Sequence, residues 1–301
     1  MEVGAPWVDP EACLGCGTCV AICPAQVLSL SGGKAGVVGA GCIGCGHCAA
    51  VCPAAAVRVD TGDGWAEAYA TLTPSGALVA PGEFSPAALV DMLRSRRSCR
   101  LFRTEAVPGP LLEDLVRVAV TAPSGTNSQA WTFTVLTSRA AVAGLSGAVA
   151  VFFRRLNRLA ARAVVRRVLA WLGRGELEAY YRTHYAEVRQ ALVGWDRDRT
   201  DRLFYEAPAA LVIGSRPGAS CPAEDALLAA GNVLLAAQVM GLGSCLIGYA
   251  AAAMAHDRRV AAAAGVPEGE QVHAVIALGW PKVTFARPVG RRRPVVRYKT
   301  A

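Results

Sequence analysis

The run Cys13-x-x-Cys16-x-x-Cys19-x-x-x-Cys23-Pro24 returns 29 residues later as Cys42-x-x-Cys45-x-x-Cys48-x-x-x-Cys52-Pro53. Three cysteines at three-residue steps wrap one face of a cubane iron–sulfur cluster, and the fourth, followed by proline, reaches the cluster of the other half. The spacing therefore predicts one four-iron cluster on Cys13, Cys16, Cys19 and Cys52 and a second on Cys42, Cys45, Cys48 and Cys23. Gly15, Gly17, Gly44 and Gly46 would let backbone N–H groups approach the sulfurs, which tunes cluster potential. Zinc, which prefers two separated ligand pairs, and disulfides, which need an oxidising compartment, are the alternatives. Clusters carry electrons one at a time, so the repeat points to electron delivery, with a purely structural role as the bland option.

A second set of candidate residues is polar and cationic. Arg96-Arg97-Ser98-Cys99-Arg100 places three guanidiniums and a hydroxyl within five residues, a suitable clamp for a phosphate and polar ring edges. About twenty residues on, Ala122-Pro123-Ser124-Gly125-Thr126-Asn127-Ser128-Gln129-Ala130-Trp131 packs short hydrogen-bonding side chains into a turn before a strand. Taken singly, these read as a basic loop and an Asn turn. His184, His256 and His273 look isolated, and no nucleophile or acid–base dyad is visible.

The elements that must position these residues follow from periodicity. Ser85-Pro86 opens a capped helix, and residues 110–122 carry a second helical apolar period. Residues 131–136, 209–213 and 272–278 read as strands, and 225–240 as an uncharged helix ended by the Gly241-Leu242-Gly243 turn. Between 150 and 203 the pattern is helical and cationic, with Arg154, Arg158, Arg162 and Arg166 at i+4 steps. From Arg154 to Arg174 there are seven arginines and no acid. This segment is expected to form a lid with a solvated basic face; Tyr180, Tyr181, Tyr185 and Trp195 are candidates for a substrate wall. A membrane-surface helix is the alternative.

The resulting expectation is an α+β chain: residues 1–58 a cysteine-rich domain, 59–86 a linker, and 87–301 a domain with a mixed sheet flanked by helices and an insert at about 150–203. With 301 residues, 53% of them hydrophobic and 18% charged, the chain is too apolar for disorder. The net charge of +8 is uneven, because residues 1–60 hold two cations against four acids. Basic charge alone does not choose among phosphate ligands, nucleic acid, membrane surfaces or an acidic partner. No nucleic-acid motif accompanies it, and no nucleic-acid partner is expected. The uncharged stretches 35–57 and 226–255 raise a membrane span; the first carries ligand-spaced cysteines and the second is broken by glycines, so a buried helix is favoured. Residues 1–4 show no basic segment leading into an apolar one, which favours a reducing, cytoplasmic setting.

In this order the motifs resemble a ferredoxin–nitroreductase fusion, a bacterial two-cluster ferredoxin domain followed by an FMN-dependent nitroreductase. Glu206-Ala207-Pro208, Gly241 to Gly248, Leu278-Gly279-Trp280-Pro281-Lys282 and Arg291-Arg292-Arg293-Pro294 extend the resemblance to about residue 298. Ala130 stands where that family usually has proline. The resemblance implies FMN as cofactor beside two 4Fe–4S clusters. Arg96, Arg97, Ser98 and Arg100 would hold FMN from one protomer of a homodimer, and Pro123, Ser124, Gly125 and Asn127 would reach it from the other. The backbone of Leu246, Ile247 and Gly248 would face the flavin ring, and Arg292, helped by Arg291 or Arg293, the phosphate. Electrons would pass from the clusters to FMN and on to a nitro compound, quinone or activated alkene, with a ferredoxin or other low-potential carrier as donor. An electron relay to a protein partner, or a flavin dehydrogenase running oxidatively, are the competing functions.

Overall fold

The computed structural model describes residues 5–60 and 62–300. In the cysteine-rich part, β1 (Trp7–Val8) pairs antiparallel with β4 (Val57–Arg58), and β2 (Leu28–Ser31) forms a hairpin with β3 (Lys34–Val37). The hairpin turns through Gly32 and Gly33, both with positive φ, as a two-residue turn requires. Two short helices, α1 (Thr18–Ile22) and α2 (His47–Ala50), each start from a glycine within a cysteine run. Val27, Leu28, Ala35, Ala56 and Val57 join Cys13, Cys19 and Cys48 in a small core. A core this small suits a domain that metal clusters complete.

Residues 62–84 contain one turn of tight helix, Trp65–Glu67, and are tied to the body by polar contacts. Asp114 on α4 (Gly109–Ala119) has no exposed surface. It accepts hydrogen bonds from the N–H groups of Ala70 (2.9 Å) and Thr71 (2.6 Å), the Thr71 hydroxyl (2.6 Å) and Arg117 Nη1 (3.0 Å). Arg117 also donates Nε to Trp65 O at 3.0 Å and lies over the Trp65 ring at 4.7 Å. Burial alone would raise the Asp114 pKa, but the bonds from Thr71, Ala70 and Arg117 outweigh it and hold the carboxyl below its ordinary value.

The body is built on a four-stranded sheet in the order β5 (Trp131–Leu136), β6 (Ala209–Ser215), β8 (Gln271–Gly279), β7 (Gly243–Leu246). These strands pair antiparallel; the parallel component is the bridge from Ser98 to Ser244. Every residue of β6 is buried, because both faces of the sheet are covered. One face carries α4 and α9 (Pro222–Val239) over Leu211, Ile213 and Ile276. The other carries α5 (Arg139–Ala160), α10 (Gly248–His256) and α11 (Arg258–Ala263) over Val212, Val275 and Ala277. The helix expected from Ser85 is α3 (Pro86–Ser95), with the Ser85 hydroxyl accepting from Ala88 N at 3.3 Å. No residue of α3 is buried.

The basic segment differs from its expected shape. Its first helix starts at Arg139 rather than near 150, and the chain breaks at Ala161–Arg162, where Arg162 is extended. Helices α6 (Ala163–Trp171), α7 (Glu176–Thr183) and α8 (Tyr185–Asp198) follow. The arginine stripe therefore runs across two helices instead of along one. The uncharged stretch 226–255 is likewise divided among α9, β7 and α10, and no described helix is long and apolar enough to cross a membrane.

Candidate functional site

The cysteine runs fold into two cavities. One is lined by Cys13, Cys16, Cys19 and Cys52, the other by Cys23, Cys42, Cys45 and Cys48, so each draws three thiols from one half and one from the other. No disulfide joins any of the eleven cysteines among the described residues. No three His, Cys, Asp or Glu side chains among the described residues converge on a point suited to a single ion. Thiols spread around a cavity suit a cluster, whose four irons each take one ligand. N–H groups point at the sulfurs: Gly15 and Ala35 to Cys13 Sγ (3.5 and 3.4 Å), Gly44 to Cys42 Sγ (3.4 Å) and Ala56 to Cys52 Sγ (3.2 Å). Gly15 has φ +70°, and a Cβ there would lie 2.1 Å from Gly33 O, so only glycine brings this N–H to the thiol. Hydrogen bonds from Ala35 and Gly15 lower the Cys13 pKa, whereas burial pushes the Cys19 and Cys48 thiols up.

In the body, residues 98–103 run beside β7. Cys99 N donates to Ser244 O at 2.9 Å and Arg103 N to Trp280 O at 2.8 Å. The close approach needs Gly243, whose hypothetical Cβ would lie 2.7 Å from Cys99 Sγ. Arg100, Ser98 and Arg96 thereby surround Cys245; burial pushes that thiol's pKa up against their opposing pull. Arg97 takes another direction, donating Nη2 to Val289 O at 3.0 Å and so pinning the tail. Arg291, Arg292 and Arg293 follow that point and are exposed.

A cavity of about 1240 Å³ opens beside Arg100, Leu246, Ile247 and Gly248. Ligand pockets usually span ~300–1,000 Å³, so this one has room for a large cofactor and a second molecule. Its far wall comes from the basic helices: Phe153 of α5, Leu169 of α6, Tyr180 of α7 and Trp195 of α8. Of the aromatics expected there, Tyr180 and Trp195 line the cavity. Tyr181 and Tyr185 instead pack on each other at 4.8 Å, with Arg166 over Tyr181 at 3.6 Å. Tyr180 donates to Asn157 Oδ1 at 2.7 Å, and burial keeps its phenol neutral.

His184 and His256 both line this cavity. The Tyr249 hydroxyl and His184 Nδ1 are 3.2 Å apart, and the Tyr249 ring packs edge-on against Phe153 at 5.5 Å. Burial, with Glu187 nearby, raises the Tyr249 pKa. This pair was missed in the sequence because 65 residues separate its members; only Tyr249, next to Gly248, carried a local hint. His273 is half-buried, 2.9 Å from the Ser215 hydroxyl, with its pKa lowered by burial.

The Pro123–Asn127 loop is not part of this cavity wall within the chain. Asp225, at the start of α9, holds it by accepting from Gly125 N (2.9 Å) and Ser128 Oγ (3.3 Å). Thr126, Asn127 and Gln129 all have positive φ, an arrangement of non-glycine residues that marks functional loops. Asn127 Nδ2 donates to Ile43 O at 3.0 Å, and its Oδ1 accepts from Gln129 Nε2 at 3.2 Å.

Residues 93–280 match the nitroreductase family model, and the chain belongs to the nitroreductase family. Residues 5–61 match the model of a 4Fe–4S dicluster domain, making the chain an iron–sulfur oxidoreductase built as a fusion of the two. It is similar to the iodotyrosine deiodinase of Thermotoga neapolitana, 29% identical over 219 residues, which span 70% of this chain and 98% of the relative. Human iodotyrosine deiodinase 1 is 41% identical over 46 residues, 15% of this chain and 16% of that protein. Among solved structures, an FMN-bound nitroreductase from Bacteroides fragilis superposes with a TM-score of 0.51 at 20% identity, covering 70% of this chain and 98% of that one. That likeness confirms the α+β fold of the body.

Proposed function

We propose that this chain takes electrons singly into its two clusters, collects them on FMN, and reduces a small planar acceptor: a nitro compound, a quinone or an activated alkene. The observation that carries this reading is the hydrogen bond from Asn127 to Ile43. Ile43 lies between Cys42 and Cys45 of the second cavity, and Asn127 lies in the loop that the family resemblance assigns to the flavin. The ligand loop of one redox centre thus touches the binding loop of the other.

The residues fit an FMN. Arg100 lines the cavity, and Arg96 and Ser98 lie with it around Cys245, offering cations and a hydroxyl, while Arg97 ties down the tail that carries Arg291, Arg292 and Arg293. The backbone of Leu246, Ile247 and Gly248 offers fixed dipoles to the ring, which stabilise charge without a side-chain acid. When bound, FMN supplies the conversion between one-electron and two-electron transfer. Pro123, Ser124, Gly125 and Asn127 reach the flavin of a second copy, as the homodimer of this reading requires. Two apolar surfaces suit that second copy: Leu89, Val90 and Leu93 on α3, and Leu227, Leu228 and Val239 on α9, all left exposed by their own chain. The aromatic wall of Phe153, Tyr180, Trp195 and Tyr249 receives the acceptor, and the deiodinase relative adds iodinated phenols to the compounds worth assaying.

Anaerobic stopped-flow of cluster-replete protein against reduced ferredoxin and against NAD(P)H tests the donor. Rapid flavin bleaching is expected with reduced ferredoxin. Bleaching by NAD(P)H alone, with ferredoxin inert, would overturn the proposed direction of entry.

A further inference from the structure

The outer face of α6 is apolar where a soluble protein would place polar residues. Val164, Val168, Trp171 and Leu172 recur at i, i+4, i+7 and i+8 and form one ridge, with Trp171 85% exposed and Val164 72% exposed. Leu159, at the end of α5, is exposed beside the chain break that leads into this helix. A ridge of this kind is an interaction surface rather than scattered surface apolarity.

Its surroundings identify the partner. Between Arg139 and Gly175 the chain contains no acidic residue. Arg154, Arg155 and Arg166 of this segment find carboxylates elsewhere, at Asp196, Asp257 and Glu178. Arg158, Arg162, Arg167 and Arg174 are exposed and form no ion pair among the described residues. The segment that bears the ridge therefore carries four uncompensated guanidiniums. A second copy of the chain is poorly matched to it, because a two-fold contact would set these arginines against their own images. An anionic lipid surface satisfies both features: the headgroups pair with the arginines, and tryptophan and aliphatic side chains enter the boundary beneath them.

We propose that α6 is an interfacial helix that docks this protein on an anionic membrane surface, with Val164, Val168, Trp171 and Leu172 inserted and Arg158, Arg162, Arg167 and Arg174 on the phosphates. Leu169 and Arg174, from this same stretch, line the large cavity. Docking therefore places the cavity's wall against the bilayer, where apolar planar acceptors such as quinones partition. The docking itself does not depend on the flavin reading, and its test uses no turnover.

The full-length holoprotein is sedimented with vesicles of phosphatidylglycerol and phosphatidylcholine in equal parts, and with vesicles of phosphatidylcholine alone. Binding is expected to the anionic vesicles only, and to weaken with added salt as headgroup attraction is screened. Arg158→Gln with Arg167→Gln should weaken partitioning by roughly fivefold for each arginine neutralised. Trp171→Ser with Leu172→Ser should abolish it, with flavin and iron content unchanged because both side chains are exposed. Equal sedimentation of wild type and the Trp171→Ser, Leu172→Ser variant would overturn the proposal. So would failure of the wild type to bind anionic vesicles, or ultracentrifugation showing that this variant splits a homodimer and that the wild type binds no lipid.

Discussion

Asn127 Nδ2 donates to the carbonyl oxygen of Ile43 across 3.0 Å, joining the loop proposed to reach flavin to the cysteine run of the second cavity. Among the described residues, no hydrogen bond runs from the Pro123–Asn127 loop to the first cavity. On the proposed reading, the second cluster is the one that would hand electrons to the body.

Replacing Cys42 and Cys45 by Ser should remove that cluster, because two thiolates are too few soft ligands to hold it. Iron and sulfide should each fall from about eight to about four per chain, with FMN retained. Turnover driven by reduced ferredoxin should collapse, and turnover driven by a small chemical reductant that reaches the flavin should persist. Loss of both activities with FMN still bound would make the cysteine-rich domain a structural support instead of a conduit.

The proposed flavin clamp makes a separate prediction. Arg96→Ala or Arg100→Ala removes one charge-assisted hydrogen bond, worth roughly 1.5–3 kcal/mol, so FMN should bind about tenfold to a hundredfold more weakly. Fluorescence titration of the apoprotein measures this directly. Iron content should not change. Unaltered affinity in both variants would mean that the phosphate and ring edges are held elsewhere, with the tail arginines the next to examine.

What was legible in the sequence was chemistry encoded by short spacing. The crossed cysteine sets needed only three-residue steps and a proline, and the strands at 131–136, 209–213 and 272–278 announced themselves as short apolar runs. What was illegible depended on contacts across long separations. The i+4 arginine stripe ran on through the break at Ala161–Arg162, because periodicity does not register a single extended residue. The linker's order rests on Asp114, an acid more than forty residues away from its partners Ala70 and Thr71. The histidines looked isolated for the same reason: nothing near His184 in the sequence points to Tyr249.

Asp114 should therefore matter to stability. Asp114→Ala leaves Arg117 with Glu113, at 2.7 Å, as its remaining carboxylate, and leaves three backbone or hydroxyl donors of the linker unpaired, a loss of about 2–3 kcal/mol. Urea unfolding of the two proteins measures it. Because the native pKa is depressed, the carboxylate's contribution is complete above the ordinary aspartate value of about 3.9 and disappears as pH falls through the lower native value. The stability gap between wild type and the variant should be constant from neutral pH to about pH 5 and narrow only in stronger acid. A gap that grew on acidification would contradict the assignment.

Tyr249→Phe should separate acceptor binding from flavin reduction. Its hydroxyl faces His184 Nδ1 inside the cavity, while its ring is fixed edge-on to Phe153, so Tyr249→Phe deletes one polar group and keeps the packing. An acceptor whose ring oxygen hydrogen-bonds this hydroxyl should bind about fivefold to tenfold more weakly in the variant, the effect of one neutral hydrogen bond. Reduction of the bound flavin by reduced ferredoxin should proceed at the wild-type rate, since that step does not involve the acceptor. The effect should also be constant through neutral pH, because a raised pKa keeps the phenol protonated there. Stopped-flow of the two half-reactions, with a quinone and with an acceptor that lacks ring oxygen, distinguishes the cases. Equal weakening of both acceptors would show that Tyr249 acts through cavity shape, and slowing of the ferredoxin step would place its role at the flavin instead.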